Sequence, residues 1–318
     1  MERKEGMNIM VIGAAGGIGK SLSLLLATSG FVKKLVLCDL APTRGIEAEL
    51  NQISDICEVK SQNESNCDAD IELVLMPCGK PQNNPNEKRD DLLKANAAIF
   101  SNLVTKVSQR QKALPTFVII GNPVNSLVVI CAEALKKIGK YDPNRLIGFN
   151  ELDHLRSKSM MAKLTGLRAQ DVLVPILGGH SEKTIYPVLT NCTNAITGEQ
   201  ITLSDDARKK CFDDIRFAGD RVLEAYDNKG TAILSTAYAA FMVAQAMYIE
   251  DPHVHYAFID HRLGKELGIP EYMTVGVTYN RSGISKVHNP SKLLTQIDDK
   301  DELFKEINSN IQSALKFA

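Results

Sequence analysis

The first half of the chain alternates short apolar runs with stretches in which apolar residues recur every three or four positions. The short runs are typical of buried strands, and the recurrent pattern predicts helices that cover both faces of one sheet. The predicted strands cover residues 8–13, 35–39, 71–79, 117–121 and 146–149, and the predicted helices cover 17–29, 90–111 and 124–139. This order of elements predicts an α/β fold with a doubly wound parallel sheet.

The pattern changes near residue 151. A helical stretch over 151–164 precedes a strand over 171–178 that ends in a glycine pair. Further helices are predicted over 205–227, 231–250 and 301–317, with strands over 254–260 and 273–279. The second half therefore indicates a mixed α+β unit, and we expect two domains, one over residues 1–150 and one over 151–318.

Composition narrows the classes of protein that remain. The 318 residues are 44% hydrophobic and 24% charged, as in ordinary globular chains, and no apolar run approaches the ~18 residues of a membrane span. Lys and Arg (37) almost balance Asp and Glu (38), so no overall field attracts nucleic acid or anionic lipid. We therefore expect a small-molecule partner rather than a nucleic acid or a membrane.

The cysteines and the first residues bear on location. The seven cysteines include no CxxC pair, which favours reduced thiols. Residues 1–6 contain acidic side chains and no apolar run, unlike a secretory or transit leader. We expect a cytoplasmic protein, although an organellar form whose leader has been removed stays open.

A glycine-rich segment, GAAGGIGKS over residues 13–21, follows the first predicted strand and opens the first predicted helix. Glycines permit a tight turn and let a phosphate approach backbone N–H groups at a helix N-terminus. The segment comes close to the GxGxxG pattern of a Rossmann dinucleotide site and to the GK[ST] end of a P-loop. Ala15 breaks the first pattern, and Ala14 breaks the second.

Asp39 separates these two interpretations. It ends the second predicted strand, 20 residues after Gly19, where a carboxylate accepts hydrogen bonds from an adenosine ribose and repels a 2′-phosphate. This placement favours NAD over NADP and over ATP. A P-loop nucleotide hydrolase that uses Lys20 and Ser21 stays as an alternative.

The second half supplies groups that suit hydride transfer to a ketone, which requires a proton donor, a cation and an anchor for the substrate. Asp153 and Arg156 lie three residues apart in a predicted helix and so share a face. His180 follows the glycine pair at the end of a predicted strand, so its imidazole can face a cleft. A carboxylate on one ring nitrogen fixes the tautomer and favours the protonated ring. We expect Asp153 and His180 to form an acid–base pair.

Five ordered motifs resemble those of the NAD-dependent lactate/malate dehydrogenases, and the glycine segment is most similar to the malate branch of mitochondrial and bacterial type. The motifs are GAAGGIG at 13–19, RDDL at 89–92 with Asn96, GNPVN at 121–125, LDHLR at 152–156 and GGH at 178–180. The resemblance implies a Rossmann NAD-binding domain followed by a catalytic domain. It also implies reversible hydride transfer between NAD and an L-2-hydroxy acid, with malate favoured, in a homodimer.

The resemblance further implies a role for each matching residue. His180 is the expected proton donor and acceptor, with Asp153 as its orienting partner. Arg156 is expected to bind the substrate C1 carboxylate, Arg89 to polarise the ketone and Asn122 to hydrogen-bond the substrate. The expected contacts with NAD are Gly13, Gly16, Gly17, Ile18, Gly19, Asp39 and Asn96.

The loop before Arg89 departs from the malate pattern. Malate dehydrogenases of this type carry an earlier arginine there, which binds the second carboxylate, whereas this loop places Asn83 near that position. An asparagine donates a hydrogen bond but cannot neutralise a buried carboxylate. Either Lys80 or Lys88 supplies the missing charge, or the substrate is another 2-oxo acid, small or aromatic, that lies against Asn83 and Gln82.

Three other features have plainer interpretations. His253, His255 and His261 lie near one another in sequence, but no nearby cysteine or carboxylate completes a metal site, and we expect no metal. The Ala- and Met-rich helix over 231–248 is apolar around most of its circumference, which predicts burial on two sides, either by the core and a partner subunit or within a monomer. The altered loop before Arg89 also leaves open the hypothesis that the chain is a non-catalytic NAD-binding sensor with the dehydrogenase scaffold.

Overall fold

The computed structural model describes residues 5–80, 89–227 and 231–318, with residues 89–92 described by their backbone alone. The elements of the first half are β1 Met7–Ile12, α1 Gly17–Ala27, β2 Val32–Cys38, α2 Arg44–Leu50, β3 Glu58–Ser61, β4 Leu73–Met76, α3 Arg89–Arg110, β5 Thr116–Ile119, α4 Val124–Lys137 and β6 Leu146–Phe149. Those of the second half are α5 Glu151–Thr165, β7 Val172–Leu173, β8 Ile176–Gly178, β9 Ile185–Pro187, β10 Thr193–Asn194, α6 Asp205–Arg216, α7 Ala218–Ala225, α8 Ile233–Ile249, β11 His255–Asp260, α9 Gly264–Leu267, β12 Tyr272–Asn280, β13 Gly283–Val287, α10 Ser291–Leu294 and α11 Lys300–Leu315. In these described ranges, no helix combines the length and the hydrophobicity needed to cross a membrane.

One sheet of 11 strands runs through both halves of the described chain. Its parallel part has the order β3-β2-β1-β4-β5-β6, which is that of a doubly wound Rossmann sheet. β1 lies at the centre, where Ile9 is level with Leu35 of β2 on one side and with Leu73 of β4 on the other. The strand order reverses at β1, and the carboxyl ends of such strands leave a crevice in which ligands bind.

The second half extends this sheet rather than forming a separate one. β11 pairs antiparallel with β6, and Phe258 lies opposite Gly148. β12, β8 and β9 follow in antiparallel order, and β13 pairs with β12. A Cβ at Gly148 would lie 2.8 Å from the Phe258 carbonyl oxygen, so a larger residue would push the two strands apart. The halves are therefore joined through the sheet itself.

Helices cover the sheet because its central strands are apolar on both faces. β4, β5 and β6 are buried at every residue. Phe100, Phe117 and Phe258 are among the largest fully buried side chains of the core. α3 packs on α4, α11 packs on α4, and α8 packs on both α1 and α5. The α11–α4 and α8–α1 contacts hold the second half of the chain against the first.

The predicted fold class is confirmed, and most predicted elements are present with ends that differ by at most three residues. Two predicted elements were wrong in detail. The strand over 171–178 is split between Leu173 and Ile176, since Pro175 has no N–H to donate to a neighbouring strand. The helix over 205–227 is interrupted at Phe217, two residues before the weak helix former Gly219.

Gly178, at the end of β8, is required by the turn that follows. Its φ is +91°, and a Cβ there would lie 1.9 Å from the Thr184 carbonyl oxygen. We expect Gly178→Ala to lower the free energy of unfolding by about 3 kcal/mol, through overpacking and backbone strain. Gly45→Ala in α2 is the control, because a Cβ there meets nothing within 4 Å beyond its own helix. Urea denaturation measures both variants, and equal midpoints would contradict the expectation.

Candidate active site

Two predicted residues meet beyond the carboxyl end of β8. Nδ1 of His180 lies 2.6 Å from Oδ2 of Asp153, which stands in the first turn of α5. Asp153 is fully buried, whereas 15% of the His180 side chain is exposed. An ionised carboxylate only accepts hydrogen bonds, so Nδ1 donates and Nε2 is the nitrogen that can exchange a proton with a ligand. The structure thus brings this pair, the Asp153–His180 pair, into direct contact.

Two asparagines that are not among the predicted site residues hold the pair in place. Asn150 Nδ2 donates to Asp153 Oδ2 at 3.2 Å and to the Gly179 carbonyl oxygen at 3.1 Å. Asn125 Oδ1 accepts the backbone N–H of His180 at 2.8 Å. Asn125 ends the GNPVN motif, and Asn150 precedes LDHLR by two residues. The contacts with Gly179 and His180 join residues 29 and 55 positions apart, so the motifs alone gave no signal of them.

Arg156 lies one turn beyond Asp153 on the same face of α5, as the spacing predicts. Its Nη1 is 3.6 Å from Asp153 Oδ1, and 15% of its side chain is exposed. Burial lowers the pKa of Arg156, although the charges of Asp153 and Asp220 oppose this shift. A guanidinium remains charged at neutral pH in proteins. A ligand carboxylate near the Asp153–His180 pair would therefore meet a fixed positive charge.

Two predicted residues of the first half are linked to each other. Asn122 follows β5 and is exposed, and its carbonyl oxygen accepts Asn96 Nδ2 at 2.8 Å. Asn96 is fully buried, and its Oδ1 accepts the backbone N–H of Lys80 at 2.7 Å. The Asn96 amide thus joins the segments after β4 and β5, while its direct contact with a cofactor stays a prediction. The structure does not describe the side chain of Arg89, at the start of α3, or the residues Gln82, Asn83 and Lys88.

The glycine segment forms a closed turn between β1 and α1. Gly13 has a φ of +99°, and its N–H donates to the Cys38 carbonyl oxygen at 2.8 Å. A Cβ at Gly19 would lie 2.0 Å from the Gly13 carbonyl oxygen, so only glycine lets α1 begin this close to β1. Gly16 and Gly17 are exposed at the start of α1, where no side chain of the described residues caps the helix. The Gly17 backbone N–H suits a phosphate, whereas the Gly16 N–H donates to the Gly13 carbonyl oxygen at 3.2 Å.

Asp39 faces this turn from the end of β2. Its Oδ2 accepts the N–H of Ala15 at 2.9 Å, and its Oδ1 accepts the N–H of Ala41 at 3.0 Å. A carboxylate offers about four lone-pair sites, so both oxygens keep capacity for ribose hydroxyls. Asp39 and Ile18 are partly exposed. Exposed N–H groups for a pyrophosphate and a carboxylate for a ribose together fit a dinucleotide.

A second buried network starts from Glu151, also in the first turn of α5. Its Oε1 lies 3.3 Å from His154 Nδ1, and its Oε2 lies 3.2 Å from His255 Nδ1 in β11. Asp251 Oδ2 lies 3.3 Å from His255 Nε2. Burial alone would raise the pKa of Glu151, but the two histidines outweigh it and hold this pKa well below its usual range. Burial alone would lower the pKa of His255, but Glu151 and Asp251 outweigh it and raise this pKa.

Carboxylates lie near two of the three histidines that the sequence places close together. His253 and His255 both contact Asp251, and Glu151 reaches His255 from 104 residues away in the sequence, which a local pattern cannot show. His261 stands apart, with Nε2 at 2.8 Å from the Pro270 carbonyl oxygen. Within the described ranges, no group of three potential metal ligands converges.

The Glu151 network gives stability a specific pH dependence. The lowered pKa of Glu151 stabilises the fold above the unfolded-state value of 4.5, and this contribution is lost as the pH falls through the folded-state value. The raised pKa of His255 stabilises the fold below the unfolded-state value of 6.5, and this contribution is lost as the pH rises through the folded-state value. Both contributions are therefore present together between about pH 4.5 and 6.5.

Glu151→Gln tests this network. We expect the free energy of unfolding to fall by about 3 kcal/mol near about pH 6, because the buried histidines lose their anion, and by less near about pH 8. Glu302→Gln, at an exposed position of α11, is the control. Urea unfolding of the three proteins across this pH range measures the effect. A loss of the same size at every pH would count against the network.

Two family models match the chain. Residues 7–148 match the NAD binding domain of lactate/malate dehydrogenase, and residues 150–318 match the alpha/beta C-terminal domain of lactate/malate dehydrogenase. The mitochondrial malate dehydrogenase of Sus scrofa is 36% identical over 286 residues, which cover 87% of this chain and 81% of that protein. The mitochondrial malate dehydrogenase of Saccharomyces cerevisiae is 32% identical over 320 residues, which cover 97% of this chain and 93% of that protein.

Solved structures of lower sequence identity share the fold. The malate dehydrogenase from Salinibacter ruber has a TM-score of 0.80 at 21% identity, covering 98% of this chain and 97% of that one. The minor L-lactate dehydrogenase from Enterococcus mundtii has a TM-score of 0.83 at 20% identity, covering 98% of each chain. The two family models together extend from residue 7 to residue 318, and both relatives above exceed 30% identity over most of the chain. The chain therefore belongs to the lactate/malate dehydrogenase family.

Proposed function

We propose that this chain is an NAD-dependent L-2-hydroxy-acid dehydrogenase that interconverts a 2-oxo acid and its hydroxy acid, with oxaloacetate and malate as the favoured pair. The observation that carries the proposal is the 2.6 Å contact between His180 and the buried Asp153, with the Arg156 guanidinium one turn away. An acid–base group beside a fixed cation is what reduction of an anionic ketone requires. The family and the malate dehydrogenases to which the chain is similar support the same activity.

The domain over residues 1–150 would hold NAD, and the family models, which end at residue 148 and begin at residue 150, support this boundary. The helix N-terminus at Gly17, in the turn closed by Gly13, Gly16 and Gly19, would bind the pyrophosphate through its backbone N–H groups. Asp39 would accept the adenosine ribose hydroxyls and disfavour the 2′-phosphate of NADP. When bound, NAD supplies the hydride chemistry at its nicotinamide ring.

The chain's own residues would move the proton and hold the substrate. During reduction, His180 Nε2 would donate a proton to the ketone oxygen, and Asp153 would keep the remaining proton on Nδ1. Arg156 would bind the C1 carboxylate through two parallel hydrogen bonds. Asn122 would donate a hydrogen bond to the substrate, and Arg89 would polarise the ketone. In the oxidation of the hydroxy acid, the neutral imidazole would take the proton back.

Substrate specificity depends on the end of the substrate that is remote from its ketone. The relatives named malate dehydrogenase support an acid with a second carboxylate. In the sequence, the position that carries a cation in the malate pattern falls near Asn83, so Lys80 or Lys88 would have to supply a point charge. A lactate-like or aromatic 2-oxo acid, which needs no such cation, is the alternative.

Two other functions are distinguished from this proposal by simple observations. A P-loop hydrolase would need Ser21 for a metal ion, but its Oγ donates to the Gly17 carbonyl oxygen at 3.1 Å within α1, and the family match favours a dehydrogenase. A non-catalytic NAD sensor would bind NADH and reduce no 2-oxo acid. An NADH oxidation assay therefore separates the sensor from the enzyme.

A homodimer is part of the proposal. Four large apolar side chains are exposed along α1 and α8, namely Leu24, Leu234, Tyr238 and Ile249. Exposed apolar side chains of this size on neighbouring helices favour burial against a second copy. The proposed location is the cytoplasm, and an organelle is the alternative, because the similar malate dehydrogenases are named mitochondrial.

His180→Asn tests the proton-transfer role. We expect kcat for oxaloacetate reduction to fall by about 10³-fold, because asparagine cannot act as a general acid. The Kd for NADH should change by less than about twofold, since the glycine turn and Asp39 are untouched. His253→Asn, at a position whose side chain is 79% exposed, is the control. Steady-state turnover and NADH fluorescence titration measure the two effects, and equal losses in both would contradict the role.

A substrate panel tests the proposed specificity. With oxaloacetate, pyruvate, phenylpyruvate and hydroxyphenylpyruvate, we expect the highest kcat/KM for oxaloacetate. Asn83→Arg should raise kcat/KM for oxaloacetate relative to pyruvate by about tenfold, because a cation there would gain about 1.4 kcal/mol from the second carboxylate. Asn86→Arg, which adds the same charge three positions later, is the control. Turnover of no acid would refute the proposed enzyme, and a preference for pyruvate would favour the lactate-like alternative.

A further inference from the structure

Asn150 occupies the position just before α5 and is 1% exposed. Asparagine at this position ordinarily caps its own helix by accepting a backbone N–H. The Asn150 side chain makes no such capping hydrogen bond. Its Nδ2 instead donates to Asp153 Oδ2 at 3.2 Å and to the Gly179 carbonyl oxygen at 3.1 Å. The amide is therefore directed at the Asp153–His180 pair rather than at the helix end.

The carboxylate oxygen that Asn150 contacts is the one that holds the histidine. Asp153 Oδ2 accepts Asn150 Nδ2 and His180 Nδ1 together. Hydrogen bonds to an ionised carboxylate stabilise its negative charge. Because Asn150 also donates to Oδ2, the charge of Asp153 acts less strongly on His180 than it would if His180 were the single donor. Without the Asn150 donor, the imidazole would face a fuller negative charge and would keep its proton to higher pH.

The other groups around the pair act at different atoms. Arg156 lies 3.6 Å from Asp153 Oδ1, the other carboxylate oxygen, and the charge of Asp220 in α7 acts on Arg156. The ring of Phe149 lies edge-on to His180, with centroids 6.5 Å apart, and adds no charge. Asn125 binds the His180 backbone rather than the carboxylate. Among these neighbours, Asn150 alone donates to the oxygen that His180 uses.

We propose that Asn150 is a positioning residue with two effects. It holds the Asp153 carboxylate against the turn that carries His180, and its hydrogen bond weakens the electrostatic effect of that carboxylate on the imidazole. This inference rests on the proposed function of the Asp153–His180 pair. One amide then has two consequences. It keeps Asp153 and the Gly179 peptide together, so the imidazole and its partner move as one unit, and it sets the pH range over which the ring releases its proton.

Asn150→Leu and Asn150→Ala test the proposal. Leucine fills the space of the amide without a donor, whereas alanine leaves room for a water molecule that can donate in its place. Reduction of a 2-oxo acid needs the protonated ring, so its kcat/KM falls at alkaline pH. In the leucine variant we expect this fall to move to higher pH by about 0.5–1 unit, a three- to tenfold change in proton affinity, with a smaller shift in the alanine variant.

Ser157→Ala is the matched control. The Ser157 hydroxyl donates to the main-chain carbonyl oxygen of Asp153 at 2.7 Å and so supports the same helix without contacting the carboxylate. Its pH profile should coincide with that of the wild type. A leucine variant that binds NADH normally and has a wild-type pH profile, however low its rate, would overturn the proposal, because a purely structural role lowers rates without moving the profile.

An NMR titration separates this inference from the proposed function. The imidazole Cε1–H resonance of His180, assigned with His180→Asn, reports the protonation of the ring without turnover. A shift of its titration to higher pH in the leucine variant, or in the alanine variant where leucine does not fold, supports the inference even if the wild type reduces no 2-oxo acid. A wild type that reduces no 2-oxo acid would refute only the proposed function. Coincident titrations of wild type and the folded variant would refute the role of Asn150.

Discussion

The buried negative charge of Asp153 constrains the surrounding structure. A carboxylate removed from water is costly unless cations or hydrogen-bond donors surround it. His180 and Asn150 both donate to Oδ2, while Oδ1 has no hydrogen-bond partner among the described residues and lies 3.6 Å from Arg156. The charge thus draws the turn after β8 onto the first turn of α5. It also keeps a guanidinium nearby, with which a ligand carboxylate can pair.

The mixed sheet makes this arrangement possible. β6 ends at Phe149, directly before Asn150 and α5, and β8 ends at Gly178, directly before the His180 turn. β11 and β12 lie between β6 and β8 in the sheet, with Thr274 level with Gly178. Because the second half continues the sheet of the first, the strand ends set the positions of an acid–base pair whose members are 27 residues apart in the sequence. The glycine turn and Asp39 stand at the ends of β1 and β2, in the parallel part of the same sheet.

Much of this organisation could be predicted from the sequence, for reasons that also explain what was missed. Strands covered on both faces must be apolar throughout, so their runs were visible, whereas α2 and β3 each bury a single residue, Leu50 and Val59, and gave no pattern. The motifs LDHLR and GGH predicted which residues would pair. The Asn150–Gly179 contact and the Glu151–His255 contact were missed because they arise only when distant segments pack together.

Nitrogen-15 NMR of His180 tests most directly whether Asp153 sets the tautomer of the acid–base group. The ring signals can be assigned by their loss in His180→Asn and observed at a pH where the ring is neutral. We predict that the proton of the neutral ring resides on Nδ1 and that Asp153→Asn abolishes this preference. A neutral wild-type ring that carries its proton on Nε2 would contradict the account.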